Sequence, residues 1–160
     1  MAWGYTGEAI SCTFDGTAFT NDDFSGANAD ATYLVKLDAT NSAASSGAPI
    51  PVVEKATADG DLIYGVAVGI DGDGAMRNNV AGQRRVRVVR NGIVNVTKDS
   101  TAPATTDVGS AVTGAGGGAG EVVDLSTDKG DGRGTIVGIT GTTTADKLVV
   151  DLDVDPIATA

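Results

Sequence analysis

Arginine is the residue type best placed to do chemistry in this chain, because it is crowded. Arg84, Arg85, Arg87 and Arg90 fall in one short stretch, with Arg77 just before it. On an extended strand Arg85 and Arg87 share one face, while Arg84 and Arg90 share the other with Val86 and Val88. Guanidinium groups fork onto carboxylates, so the sharper expectation is that they pair with acids on a neighbouring subunit. The plainer one is a solvated sheet edge whose charges block mispairing. Nucleic acid is a weaker partner. A net charge of −10 repels it, and the exposed aromatics that usually accompany single-strand binding are missing.

The usual catalytic groups are scarce. No histidine is present, which removes the commonest general base and zinc ligand. Cys12 is the single cysteine, so it can form no intrachain disulfide and has no histidine partner for thiol chemistry. The carboxylates lie in glycine-rich turns, where nothing separates their pKa values for paired acid/base work. No enzymatic role, cofactor or resident metal is therefore expected. Residues 116–120 invite a phosphate-loop reading, but a valine-rich strand follows instead of a helix, and the next lysine is Lys129. Asp71-Gly72-Asp73-Gly74 resembles the start of a calcium loop. The helical version needs glycine sixth and glutamate twelfth, and Met76 and Gly82 stand there. A loose cation site among Asp71, Asp73, Asp128 and Asp131 is the alternative to simple turn chemistry. Asn95-Val96-Thr97 matches a glycosylation sequon, which matters only if the chain meets that machinery.

The aromatic residues divide the chain. Trp3, Tyr5, Phe14, Phe19, Phe24 and Tyr33 lie near the N-terminus, and only Tyr64 follows. Rings spaced along a Gly, Asp, Asn and Thr background suit an arm over residues 1–30 that docks on another subunit, each ring filling a pocket. The alternative is that they cover one end of the chain's own barrel. The β-domain is expected over 31–155 and a short tail over 156–160, where small residues give little reason for order.

Composition sets the fold class as all-β. Val, Ile and Thr are abundant, 23 glycines punctuate the chain, and no window shows a capped 3.6-residue period. Residues 61–96 organise it. In 62–70, Leu62, Tyr64, Val66, Val68 and Ile70 alternate with Ile63 and the small Gly65, Ala67 and Gly69, which predicts a half-buried strand. After a glycine/aspartate turn, 84–90 is extended. Asn91-Gly92 is the strongest hairpin signal, sending 93–96 back antiparallel. Further strands are expected over 31–37, 51–55 (an edge, given its flanking prolines), 108–112 and 121–125. Residues 97–107 read as a polar surface excursion. In 148–154, Leu148, Val150, Leu152 and Val154 should point inward. Ile63-Tyr64-Gly65-Val66 is echoed by Ile136-Val137-Gly138-Ile139, which suggests one small barrel or sandwich built from related halves.

At 160 residues a single domain can bury roughly 70% of its unfolded surface without a staple. The N-terminus lacks a basic region followed by an apolar run, and no stretch has the length of a membrane span, so a soluble product of the host cytoplasm is expected. The acids are 18 Asp and 3 Glu against 5 Lys and 6 Arg. Such an excess also suits work in very high salt, where screening relieves self-repulsion.

The run Asp59 through Ala67, then Val86 to Val88 and Asn91 to Val96, with a later copy from Val108-Gly109 through Gly138 to Leu152, resembles the capsid decoration (cement) proteins of tailed viruses. The likeness covers residues 30–155. It implies a β-rich structural protein without catalytic residues, on the outer capsid face of the virion, binding the major capsid protein and often forming a homotrimer. The aspartate excess departs from typical members and suits a virus of a halophilic archaeon. Trp3, Tyr5, Phe14, Phe19, Phe24, Arg84, Arg85, Arg87 and Arg90 are then the expected capsid or subunit contacts. The competing expectation is a host-contacting spike or fibre domain that binds a receptor or glycan.

Overall fold

A computed structural model describes residues 9–14, 19, 21–28, 31–39, 51–56, 61–70, 85–98, 101–113, 122–126 and 134–154. Trp3, Tyr5, Arg84, the 71–74 turn, the glycine tip at 114–120, Asp128, Asp131 and the 156–160 tail lie outside them.

The chain is all-β, as its composition predicts. Ten strands run β1 (Ala9–Phe14), β2 (Tyr33–Leu37), β3 (Val52–Lys55), β4 (Gly65–Ile70), β5 (Arg85–Val89), β6 (Asn91–Lys98), β7 (Ala111–Thr113), β8 (Val122–Ser126), β9 (Gly134–Ile139) and β10 (Leu148–Asp153). They close two separate five-stranded barrels, in the orders β1-β3-β2-β4-β5 and β10-β6-β8-β7-β9. The expectation of one barrel from two halves is corrected: each half is itself a barrel.

The second barrel repeats the first strand for strand and register for register. Both contain one parallel pair, with Thr13 opposite Val52 in β1–β3 and Thr97 opposite Val122 in β6–β8. Leu34 faces Val66 as Ala111 faces Thr135. Cys12 faces Val86 as Val96 faces Leu148. Ala67 faces Val88 as Ile136 faces Val150, and just beyond them a bulge skips Val68 in one barrel and Val137 in the other. Thus Gly65, Val68, Gly69 and Ile70 correspond to Gly134, Val137, Gly138 and Ile139. The echo seen in the sequence is real but slipped, since it set Gly65 against Gly138. The backbone explains the true register. A Cβ on Gly65 would sit 2.5 Å from Val88 Cγ1 and 2.6 Å from the Val89 carbonyl; one on Gly134 would sit 2.9 Å from both Val150 Cγ1 and the Asp151 carbonyl. Only glycine lets the last strand of each barrel approach this closely.

Three further expectations are corrected. Asn91-Gly92 makes no hairpin, because β6 pairs from Asn91 to Val96 with β10, Leu148 lying opposite Val96 and Asp153 opposite Asn91. The glycine is still needed: its φ of +115° turns the chain out of one barrel and into the next. Neither β5 nor β3 is an edge, since closure pairs each on both sides. Finally, residues 9–14 of the expected arm are β1, held between β3 and β5.

Two cores result. Cys12, Phe14, Phe19, Tyr33, Val35, Val53, Ala67, Val86 and Val88 fill the first barrel. The second core spans both barrels. Leu34, Ala56, Ile63, Val66 and Val89, alternating with residues that point into the first barrel, pack with Val94, Val112, Ile136, Leu148, Val150 and Leu152 of the second. This is why the face containing Ala67, the small one in the sequence, is buried as fully as its opposite. In β10 the expected alternation holds: Leu148, Val150, Leu152 and Val154 are buried, and Asp151 and Asp153 are exposed.

Candidate functional site

The expected contact residues separate into three environments. Phe14 and Phe19 are fully buried inside the first barrel. Phe19 stacks on Phe24 at 5.8 Å and meets Phe14 edge-on at 5.1 Å, and Tyr33 closes the cluster edge-on against Phe24 at 5.1 Å. Lys55 Nζ lies 4.5 Å from the Tyr33 ring centroid and pairs with Asp23 at 2.8 Å. These rings plug the chain's own barrel, so Phe14 and Phe19 are withdrawn as anchors on another subunit, and Phe24 belongs to the same cluster. Phe19 and Phe24 come from the otherwise polar β1–β2 connection, and with Phe14 of β1 and Tyr33 of β2 they fill space that the valines of this barrel leave.

In the second barrel the position of Phe14 is taken by Lys98. Its ammonium pairs with Asp107 Oδ2 at 2.9 Å, and the same oxygen accepts the Ala104 N–H at 2.8 Å. Asp107 sits in a 3-10 turn (Thr105–Asp107) and is only 5% exposed. Burial alone would raise its pKa; the hydrogen bonds from Lys98 and Ala104, with the nearby positive charge, outweigh this and hold it below the usual value. The stretch 97–107 is therefore not a plain surface excursion. It is the counterpart of the aromatic plug, made with charge.

The arginines do not act together. Arg85 and Arg87 are exposed on the outside of the first barrel, alternating with buried Val86 and Val88. Arg90 instead is structural. Its guanidinium lies 4.4 Å from the Tyr64 ring centroid, donates to the Val154 carbonyl at 2.8 Å and to the Tyr64 carbonyl at 3.3 Å, and so ties three segments at the junction of the barrels. Sequence alone gives no sign of this, because the carbonyls it binds are remote in the chain. Arg90 also opposes the effect of burial on the Cys12 thiol, whose pKa is nevertheless pushed up to about 11. That thiol is inert at neutral pH.

Beside Arg90 opens a cleft of about 410 Å³, lined by Lys36, Leu37, Leu62, Ile63, Tyr64, Arg90 and Val154. Its cationic groups are already engaged. Lys36 Nζ bonds Asp61 at 3.0 Å, which raises the lysine's pKa against the effect of burial, and it also reaches Glu54 at 3.6 Å. What the cleft offers is apolar: Leu62 is 64% and Leu37 47% exposed. The alternation over 62–70 predicts that Leu62 begins a half-buried strand, but β4 begins only at Gly65, and Leu62 is exposed.

Among the described residues no group of three or more His, Cys, Asp or Glu side chains is placed to hold a metal ion. Among the same residues no helix is long and apolar enough to cross a membrane. Comparison with known protein families, with curated proteins and with solved structures finds no match.

Proposed function

We propose that this chain is a structural virion protein that binds the outer surface of a capsid and stabilises contacts between major capsid subunits. The observation that carries this proposal is the cleft at the barrel junction. Leu62 and Leu37 stand exposed beside a concave apolar surface while the neighbouring cations are held by partners of the chain's own. Such a site suits insertion of an apolar side chain from a protein partner, with little selectivity for charge. The likeness of the β4 and β5–β6 residues to decoration proteins supports the same role. Among the described residues the two closed barrels leave no free strand edge to pair with stray chains, which suits a protein concentrated on a lattice. Repetition over that lattice turns a modest contact into avidity. The net charge of −10 favours a strongly saline medium, where screening relieves the repulsion between neighbouring copies.

The test is co-sedimentation with undecorated capsids at low and multimolar salt, comparing the wild type with Leu62→Asp. Saturable binding that the substitution weakens about tenfold or more supports a cement role through the cleft. Absence of binding in either salt overturns it. Tyr64, the one aromatic side chain of the cleft, favours a second function, a glycan-contacting spike domain. Binding to glycans or host cells with none to capsids would establish that instead.

A further inference from the structure

The equivalence of the barrels identifies how one barrel joins another, and therefore where a second chain would join. Within the chain, the first barrel offers Leu34, Val66 and Val89 on its outer face to the shared core. It meets the second barrel at β6, where Thr32 Oγ1 donates to the Asn95 carbonyl at 2.7 Å, and along β8, which lies beside β2. Each half of this join has a counterpart on the other barrel. Register places Thr135 and Asp151 of the second barrel where the first has Val66 and Val89, and both are exposed. It places Ser11 of the first barrel where the second has Asn95, and β3 where it has β8. Ser11 lies directly opposite Arg87.

These two counterpart faces carry opposite charge. Arg85 and Arg87 are exposed on β5, and Asp151 and Asp153 are exposed on β10. Among the described residues none of the four forms a salt bridge. Each dyad occupies alternate positions of a strand, so both have the same pitch of about 6.7 Å. Two dyads of equal pitch and opposite sign can form two guanidinium–carboxylate pairs at once.

We infer that copies of this chain associate head to tail, the β10 face of one (Thr135, Asp151, Asp153) docking on the β1–β5 face of the next (Ser11, Arg85, Arg87). The contact repeats between chains the join within the chain, with Asp151 standing where the internal join uses Val89. An apolar face would be covered permanently; a charged one assembles and releases. The contact is heterologous, so successive copies follow one rotation and close as a ring when that rotation allows. The inference needs no capsid and holds or fails separately from the proposed function.

The purified chain provides the test, by light scattering and sedimentation velocity at about 0.15 M salt, where pairs in contact outlast longer-range repulsion. The wild type is expected to associate reversibly. Arg85→Glu/Arg87→Glu and Asp151→Arg/Asp153→Arg are each expected to weaken association by about a hundredfold, and the quadruple variant to restore it. Circular dichroism and thermal unfolding confirm that these exposed changes leave the fold intact, and Arg85→Ala/Arg87→Ala serves if a reversal does not. A wild type that stays monomeric, association that survives either reversal, or a quadruple variant that fails to recover would each overturn the inference.

Discussion

At the scale of single residues, the two barrels solve one problem in two ways. Phe14 closes the first barrel by burying a ring; Lys98, at the same register position, closes the second by meeting Asp107. The charged solution carries a pH dependence that the aromatic one lacks. Because the folded pKa of Asp107 is below its ordinary 3.8, its contribution is complete above that pH and is lost as pH falls through the folded value. Asp107→Asn leaves Lys98 without its carboxylate partner and should cost about 2 kcal/mol at pH 7, the range for a charged hydrogen bond that is partly buried. Thermal unfolding followed against pH checks this: the gap between wild type and variant should narrow below pH 3.8. Nothing local in the sequence separates Lys98 and Asp107 from the exposed charges around them. Their pairing depends on where the turn at 105–107 returns to the barrel mouth, a tertiary fact.

At the scale of strands, the glycines distinguish sites that look alike in the sequence. Gly65 and Gly138 both follow an Ile-x pattern, but only Gly65 is pressed against a neighbouring backbone; a Cβ on Gly138 would find ordinary contact at 3.8 Å from Val149. Gly65→Ala should therefore destabilise by about 2 kcal/mol through overpacking, and Gly138→Ala should stay within about 0.5 kcal/mol of the wild type. Urea denaturation of the two variants decides it. Strand positions were largely legible from alternation and turn residues, and β10 most clearly, since one of its faces meets water. The facing of β4 was not legible: both of its sides are covered, so the period of two carries no information about which side is the core. Asn91-Gly92 misleads for a related reason. The dipeptide favours a hairpin, but the remote partner β10 pairs with every residue from Asn91 to Val96 and overrides it.

At the scale of the whole molecule, ten strands form two barrels that share one of their two cores. Barrels joined by a core of this kind should not melt one after the other. Calorimetry should show a single transition with matching calorimetric and van't Hoff enthalpies. Leu34→Ala, at a first-barrel position facing the second, should lower that one transition by about 3 kcal/mol without splitting it. Two resolved transitions in the wild type would contradict a shared core. The sequence carried a trace of the duplication in its repeated glycine-valine strands, but not the doubling of the barrel. Closure depends on the parallel β1–β3 and β6–β8 pairs, whose members are far apart in the chain and leave no periodic mark. The candidate cleft was less legible still, because Leu62 and Val154, which line it together, are remote from each other in the chain. The chain passes from β5 to β6 through Arg90 alone, and this has a consequence for synthesis. A ribosome releases the first barrel entire before any of the second has emerged. For that interval Leu34, Val66 and Val89 face water, so the nascent chain is most vulnerable to aggregation at its halfway point, and an ordinary stall in translation there would be costly in a way that a stall elsewhere would not.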